Sequence, residues 1–370
     1  MQPPTRVSTA ACLSVLTVVT IHHHTLLLWR VARTLAISLI GSGCAFHASG
    51  EIGAAGNIEV RDSQIIARSQ RTHELYWLDN ARAIVIGHLP DQPASKDSRA
   101  GSGYRALIWN TSENEIEPAI ESTNVETLCV SRGYVRLTFR KDGVTYVRTG
   151  VLSNAGSSLD APPTRAGDSA FNPISCREYD AKHIREQYGR WTIPLLNSGE
   201  YLDLSSPNSG TPMRYFPLDS THPVVLKELP WRRVDPTPRF SEFADQYILS
   251  ELRSHLSSGA VQRFWLLDRR GRVSKFSIPP GPWLEGATTA LPIKGGWVMA
   301  SKALALSGSY GAAGIYLVRA GVVKKVLTGY PHAIAVAPNG CKTAVAINVE
   351  GGGQILHPVV KALDFCERGD

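Results

Sequence analysis

The chain has 370 residues, too many for one small domain, and suits either two ordinary domains or one large repeat architecture. Its formal net charge of +7 is a mild excess, three units of which come from Arg6, Arg30 and Arg33 near the start. No Lys/Arg cluster is interleaved with aromatic residues, which argues against nucleic acid as a partner and leaves anionic lipid or polysaccharide as surfaces the charge would suit.

The first carboxylate in the chain is Glu51. Before it, Arg30 and Arg33 precede an apolar run from Thr34 to Ile40, followed by the small residues Gly41, Ser42 and Gly43 and then Cys44. Positive charge, a short apolar stretch and small residues make an export leader. The segment before Cys44 resembles a bacterial lipoprotein signal, although that pattern favours leucine where Gly41 stands. The resemblance implies an acyl chain on Cys44, a membrane attachment through it, and, with Ala45 next, the outer-membrane class facing the periplasm. Simple secretion with cleavage after Ala48-Ser49-Gly50 is the alternative, giving a soluble periplasmic protein. The apolar stretch from Ala10 to Ile21 is too short to span a membrane. Translation starting near Leu28 or Val31 would leave a compact leader. The expected organisation is a leader over 1–43, a linker over 44–56 and a folded body over 57–366.

Strand signals dominate the body. Asn57–Arg68 alternates with β-branched residues, and Glu74–Asp79, Ala83–Ile86, Tyr104–Trp109, Thr127–Val130, Tyr134–Phe139 and Val144–Arg148 follow at short spacing. Lys141-Asp142-Gly143 reads as a hairpin turn. A second group opens at Val261–Leu267, turns at Asp268–Gly271 and returns through Arg272–Ile278. Gly296–Ala300, Gly314–Arg319, Val322–Leu327, Ala333–Val336, Lys342–Ile347 and Gln354–Val360 complete it.

The strands across 314–347 resemble consecutive strands of one β-propeller blade, with Ala337-Pro338-Asn339-Gly340 in place of the turn that ends an inner strand. Proline presets that turn, Asn-Gly accepts positive φ, and the small run Ala-Ile-Ala-Val-Ala suits a crowded axis. The resemblance implies an all-β, propeller-like fold of about six or seven blades, with the strands of 314–347 in one antiparallel sheet. A two-sheet β-sandwich with a small second domain is the alternative.

Residues 151–260 break the pattern and read as a partly helical insertion. Ser175 and Glu178 form a capping box for a helix to Tyr188. Phe240, Phe243, Ala244, Tyr247, Ile248, Leu252 and Leu256 share one helical face. Between them, Gly210–Pro238 holds six prolines and Trp231-Arg232-Arg233, which with Tyr215 are the binding candidates, because insertions on a rim are free to hold partners.

Beyond Cys44 lie Cys129, Cys176, Cys341 and Cys366. An oxidising compartment favours bridges, and proximity favours Cys129–Cys176 and Cys341–Cys366. No Cys-x-x-Cys or zinc spacing occurs, so no metal and no cofactor is expected. Ser307-Gly-Ser-Tyr-Gly311 has its glycines at the wrong offsets for a nucleophile elbow, and no phosphate-binding glycine loop is present. Glu74, Asp79, His88, Asp91, His183 and His332 remain as titratable groups that could meet in a channel. The expectation is a non-catalytic envelope binding protein engaging a protein partner, an assembly factor or a toxin-neutralising protein. The alternative is a periplasmic hydrolase or lyase acting on a sugar or lactone.

Overall fold

The computed structural model describes residues 58–68, 74–92, 103–121, 124–131, 134–151, 164–165, 192–195, 200–203, 212–217, 222–229, 238–251, 262–284, 286, 288–302, 311–348 and 358–366. The leader with Cys44, the helix expected at 175–188, Cys176, His183 and Trp231-Arg232-Arg233 lie outside them.

The described residues form an all-β fold of antiparallel sheets. The chain enters on β1 (Glu59–Ala67) and then runs through four-strand meanders. The first is β2 (Leu75–Trp77), β3 (Arg82–His88), β4 (Arg105–Asn110) and β5 (Glu115–Pro118); the second is β6 (Val125–Ser131), β7 (Tyr134–Lys141), β8 (Val144–Val151) and β9 (Thr164–Arg165). The third is β10 (Thr192–Pro194), β11 (Tyr201–Asp203), β12 (Met213–Phe216) and β13 (Val224–Leu226); the fourth is β14 (Arg239–Ser241), β15 (Gln246–Ser250), β16 (Gln262–Asp268) and β17 (Val273–Ile278). The fifth is β18 (Thr288–Ile293), β19 (Gly296–Ser301), β20 (Gly314–Arg319) and β21 (Val322–Thr328). A sixth, of β22 (Tyr330–Val336), β23 (Lys342–Asn348) and β24 (Val359–Asp364), takes β1 as its fourth strand. The two ends of the described chain thus share a sheet.

Inner strands such as β3, β16 and β23 read as continuous apolar runs because both faces of a meander are covered there, whereas the edge strands β5, β17 and β21 are exposed or half-buried for most of their length. In β3, Ala83 and Val85 pack toward the sixth meander, while Ile84 and Ile86 pack toward the second. In β16, Trp265 and Leu267 meet the third meander, and Phe264 and Leu266 meet the fifth. In β23, Ala344 and Ala346 face the first meander, and Val345 and Ile347 face the fifth. A two-residue period therefore sorts each strand between two cores. The junction of sixth and first meanders sets alanines 333, 337, 344, 346 and 362 against Trp77 and Trp109, so small residues on one side make room for indoles on the other.

Four hairpin turns that follow first strands come together. The backbone N–H of Lys294 donates to the carbonyl of Gly340 at 2.9 Å, and that of Asn339 donates to Asn80 Oδ1 at 2.9 Å. Gly340 has φ 73° and leaves room for the Phe243 ring, which a Cβ there would meet at 2.6 Å. Fourth, fifth, sixth and first meanders thus pack together at this turn end.

Three expectations are corrected. The described part of the expected helix, 240–251, is no helix: Arg239–Ser241 and Gln246–Ser250 are strands joined by a turn in which Asp245 takes φ 49°, and Leu252 and Leu256 lie outside the described residues. The helical spacing was a coincidence of a short hairpin whose residues are buried on both faces. Residues 192–250 contribute β10 to β15 to the regular meanders, so the described part of 151–260 continues the scaffold rather than interrupting it. The strands of 314–347 belong to two sheets, because β21 is an outer edge and the chain crosses at Gly329 to begin the next meander on β22. Cys341 and Cys366 form the expected disulfide, with Cα atoms 5.2 Å apart. Cys129 is also disulfide-bonded, and Cys176, the partner expected for it, lies outside the described residues.

Candidate functional site

The end opposite the packed turns, where first strands begin and second strands finish, gathers the polar side chains. On one side of it, β1 has a bulge between Asp62 and Ile66, after which Ile66 still pairs with Val359 of β24 while Ile66 and Ala67 pair on the other edge with His88 and Gly87 of β3. Gly87 permits this approach, since a Cβ would stand 2.6 Å from the carbonyl oxygen of Ile66. The bulge delivers Arg68 into the fold. Its Nε donates to Glu74 Oε2 at 2.8 Å and its Nη2 to Glu74 Oε1. The guanidinium also donates to the carbonyls of Val125, at 3.3 Å, and Glu126, at 2.7 Å. It lies 5.7 Å from the centre of the Tyr104 ring, which in turn sits 5.9 Å from the ring of His88. Glu74 and His88 are therefore brought to one cluster. Both Glu74 oxygens accept from Arg68, so this carboxylate holds three segments together rather than facing solvent.

On the other side of this end stand Arg239 at the start of β14, Lys302 just after β19, Tyr330 at the start of β22 and Asn348 at the end of β23. Lys302 Nζ lies 5.6 Å from the centre of the Tyr330 ring, and the His332 ring meets the same tyrosine edge-on at 5.3 Å. Lys302 forms no ion pair among the described residues. Burial, and then the positive charge of Arg239, hold its ammonium below the ordinary lysine value. Asn348 pairs directly across from Tyr330 on the same side of the sheet. Its amide is buried, at 4% exposure, and neither its oxygen nor its nitrogen meets a hydrogen-bond partner among the described residues.

The other sequence candidates lie apart. Asp79 closes the β2–β3 turn, accepting from the backbone N–H of Ala81 and Arg82 at 2.8 Å and from Arg82 Nε at 2.7 Å. Asp91 is exposed in the turn after β3. Tyr215 is fully buried in the core between third and fourth meanders, where it and Tyr247 share the buried carboxylate of Glu200. Burial, then the charge of Glu200, pushes its hydroxyl above the ordinary tyrosine range. As a core residue it presents no surface for a partner. Near it, Tyr201 and Phe216 stack at 4.5 Å and Arg214 lies over Phe216, with Val225 exposed on the adjoining outer strand. No group of three His, Cys, Asp or Glu side chains suited to a metal ion occurs among the described residues. No helix among them is long and apolar enough to cross a membrane.

Sequence reasoning missed Lys302, Tyr330 and Asn348, because what distinguishes them is where the fold puts them: Lys302 over the Tyr330 ring without an ion pair among the described residues, and Asn348 buried across from Tyr330. It also missed a positional repeat: the third strand ends on Asn110, Asp268 and Asp364 in three meanders. Asn110 and Asp268 accept backbone N–H groups of the turns that follow, and Asp364 accepts from the N–H of Cys366.

No family model matches the chain, and no curated protein matches it in sequence. Among solved structures, a chain of the mitotic checkpoint complex is 10% identical over 86% of this chain and 98% of its own, with a TM-score of 0.41. The β-propeller domain of the trilobed protease from Pyrococcus furiosus is 8% identical over 78% of this chain and 79% of its own, with a TM-score of 0.32. Hsv2 of Kluyveromyces lactis is 11% identical over 76% of this chain and 71% of its own, at a TM-score of 0.30. Similarities at this level carry no argument about this chain.

Proposed function

We propose that the protein is a six-bladed β-propeller, exported and lipid-anchored at Cys44, that binds a protein partner in the bacterial envelope without catalysis. Five four-strand meanders and a sixth of three strands completed by β1 support the blade reading, as does the two-residue sorting of strands between successive cores. The leader and the disulfides support export.

The observation that carries the binding reading is the make-up of the polar end. Glu74 is held by Arg68, while Lys302 stands without an ion pair, and among the described residues no nucleophile–base pair lies beside them. Such a set suits recognition of a ligand better than the breaking of a bond. The test is crosslinking of the membrane-extracted protein in intact cells, with intact-mass spectrometry of the same extract. The expected results are a discrete crosslinked partner and a diacylated chain starting at Cys44. Turnover of a sugar or lactone by the purified protein, lost in H88A or E74Q, would replace this reading with the hydrolase or lyase one.

A further inference from the structure

The fifth meander breaks the positional repeat of its neighbours. Where third strands elsewhere end on Asn110, Asp268 and Asp364, β20 ends on Arg319. The hairpins after Asn110 and Asp268 are polar, through Ser112 and Glu113 in one and Arg269 and Arg270 in the other. The hairpin after Arg319 is Ala320-Gly321-Val322, with no polar side chain at its tip. Ala320 and Gly321 take φ 47° and 80°, the left-handed pair of a tight two-residue turn. Val322 is 52% exposed, and a Cβ on Gly321 would meet no described atom within 4 Å, so the tip stands clear of its neighbours.

Cations surround this tip. Arg319 stands directly across from Val322, and its Nη2 donates to the carbonyls of Lys294 at 3.5 Å and Phe365 at 3.3 Å, and to no carboxylate among the described residues. Lys294, in the β18–β19 turn, is exposed, as is Lys324, two residues along β21 on the face of Val322. Lys325 is turned away, its Nζ donating to the Gly311 carbonyl at 2.9 Å. Water-facing surfaces ordinarily intersperse both signs of charge. Between Glu285 and Glu350 the chain has six Lys or Arg and no Asp or Glu.

The strand β1 begins at this same end. Glu59 stands opposite Asp364, which stands opposite Lys342, the start of β23 after the Gly340 turn that Lys294 touches. Cys44 lies fifteen residues before Glu59, so an acyl chain there keeps this end within about 50 Å of a bilayer.

We infer that the β20–β21 hairpin seats on an anionic phospholipid surface, Val322 entering the headgroup layer while Lys294, Arg319 and Lys324 meet lipid phosphodiesters. The inference rests on the anchor at Cys44 proposed above and goes beyond it by fixing which end of the body faces the bilayer. A phosphodiester supplies the negative charge that the segment lacks, and an apolar tip among cations suits the boundary between headgroups and acyl chains. A free phosphate would serve the cations and leave Val322 in water. Each cation strengthens binding to an anionic surface by about fivefold, so three hold a free protein weakly. On a tethered protein the raised effective concentration makes that enough. Seated this way, the end that carries Arg68 and Glu74 points away from the bilayer.

The test uses the acylated, membrane-extracted protein in nanodiscs of phosphatidylcholine, alone or mixed with phosphatidylglycerol. A nitrobenzoxadiazole probe is placed on V322C or, at the far end of the same strand, on T328C. With phosphatidylglycerol the V322C probe is expected to brighten and to be quenched by spin-labelled lipid, while the T328C probe stays in water. K294Q/K324Q should lower the seated-to-free ratio about 25-fold, fivefold for each cation. Its unfolding temperature should not move, since both side chains are exposed. Equal quenching in phosphatidylcholine alone overturns the inference, because the acyl chain would then act without the cations. A V322C probe that stays in water in both nanodiscs overturns it too, as does equal protection of that probe by inorganic phosphate or a polyglutamate peptide without lipid. Intact mass separates the two readings. An acylated chain whose V322C probe stays in water refutes the seat and keeps the anchor. An unacylated chain that needs phosphatidylglycerol for quenching keeps the seat and refutes the anchor. An unacylated chain that ignores both bilayers refutes both.

Discussion

The disulfide between Cys341 and Cys366 ties the turn after β22 to the residue beyond β24, and its removal gives a quantitative test of what holds the last sheet together. In C341S/C366S the backbone bond from Phe365 N–H to the Cys341 carbonyl, 2.8 Å in the native chain, can persist, as can the β23–β24 ladder. The loss is then mainly the loop-closure entropy returned to the unfolded chain. For a separation of 25 residues this amounts to about 3.5 kcal/mol. With a urea m-value of about 3 kcal/mol/M, at the upper end for small domains, the midpoint falls by roughly 1.2 M with m unchanged. Serine substitution is preferable to a reductant, which would also open the bridge at Cys129. A loss below about 1 kcal/mol refutes the reasoning: the tail would then be held by its ladder, and the bridge would be incidental. A larger m in the variant would show that the unfolded chain, released from the crosslink, exposes more surface.

Three further outcomes are expected. E74Q leaves Arg68 buried without its charge partner, and urea unfolding should register a loss of about 3–5 kcal/mol, while R68M/E74L should lose less than the sum of the separate substitutions. G340A drives a Cβ into the Phe243 ring at 2.6 Å from a left-handed backbone, so a loss of about 1–3 kcal/mol is expected by thermal unfolding, and the smaller ring of F243L should recover part of it. For Asp268, burial works to raise its pKa, but the N–H groups of Arg272 and Arg270 and the Arg272 guanidinium outweigh it, so the folded value lies below the ordinary 3.8. Its contribution is therefore fully present above the ordinary value and is lost as pH falls through the lower folded one. D268N should flatten that part of the acid-unfolding curve, and an unchanged curve would contradict the assignment.

The strands were legible where chemistry is local. Runs such as Ala83–Ile86 and Phe264–Leu267 are apolar on both faces and bounded by Asp, Asn or Gly, and they fold as read. The same double burial hid the hairpin at 239–250: with Tyr247, Ile248 and Leu249 all buried, no alternation betrayed a strand, and spacing alone suggested a helix. The sheet boundary at Gly329 was invisible because a single residue separates β21 from β22, with no loop composition to mark it. At the polar end, His88 and Glu74 could be named from type alone. Arg68 could not, since its role depends on a bulge in β1 and on the pairing of that strand's end with two neighbours at once. Asn348 and Lys302 are ordinary residues in sequence, and only their surroundings set them apart.

The pairing of β1 with β24 has a consequence in time. Ser63 Oγ donates to the Val360 carbonyl across 297 positions of sequence, so the strand made first waits for the one made last. Until β24 emerges, β1 is an open edge able to pair with any neighbouring extended chain. Contacts this remote close slowly, because nearly the whole chain must be ordered before they form. In a crowded compartment that interval is when the newly made chain is most exposed to misassembly, and a companion that covers β1 would shorten it.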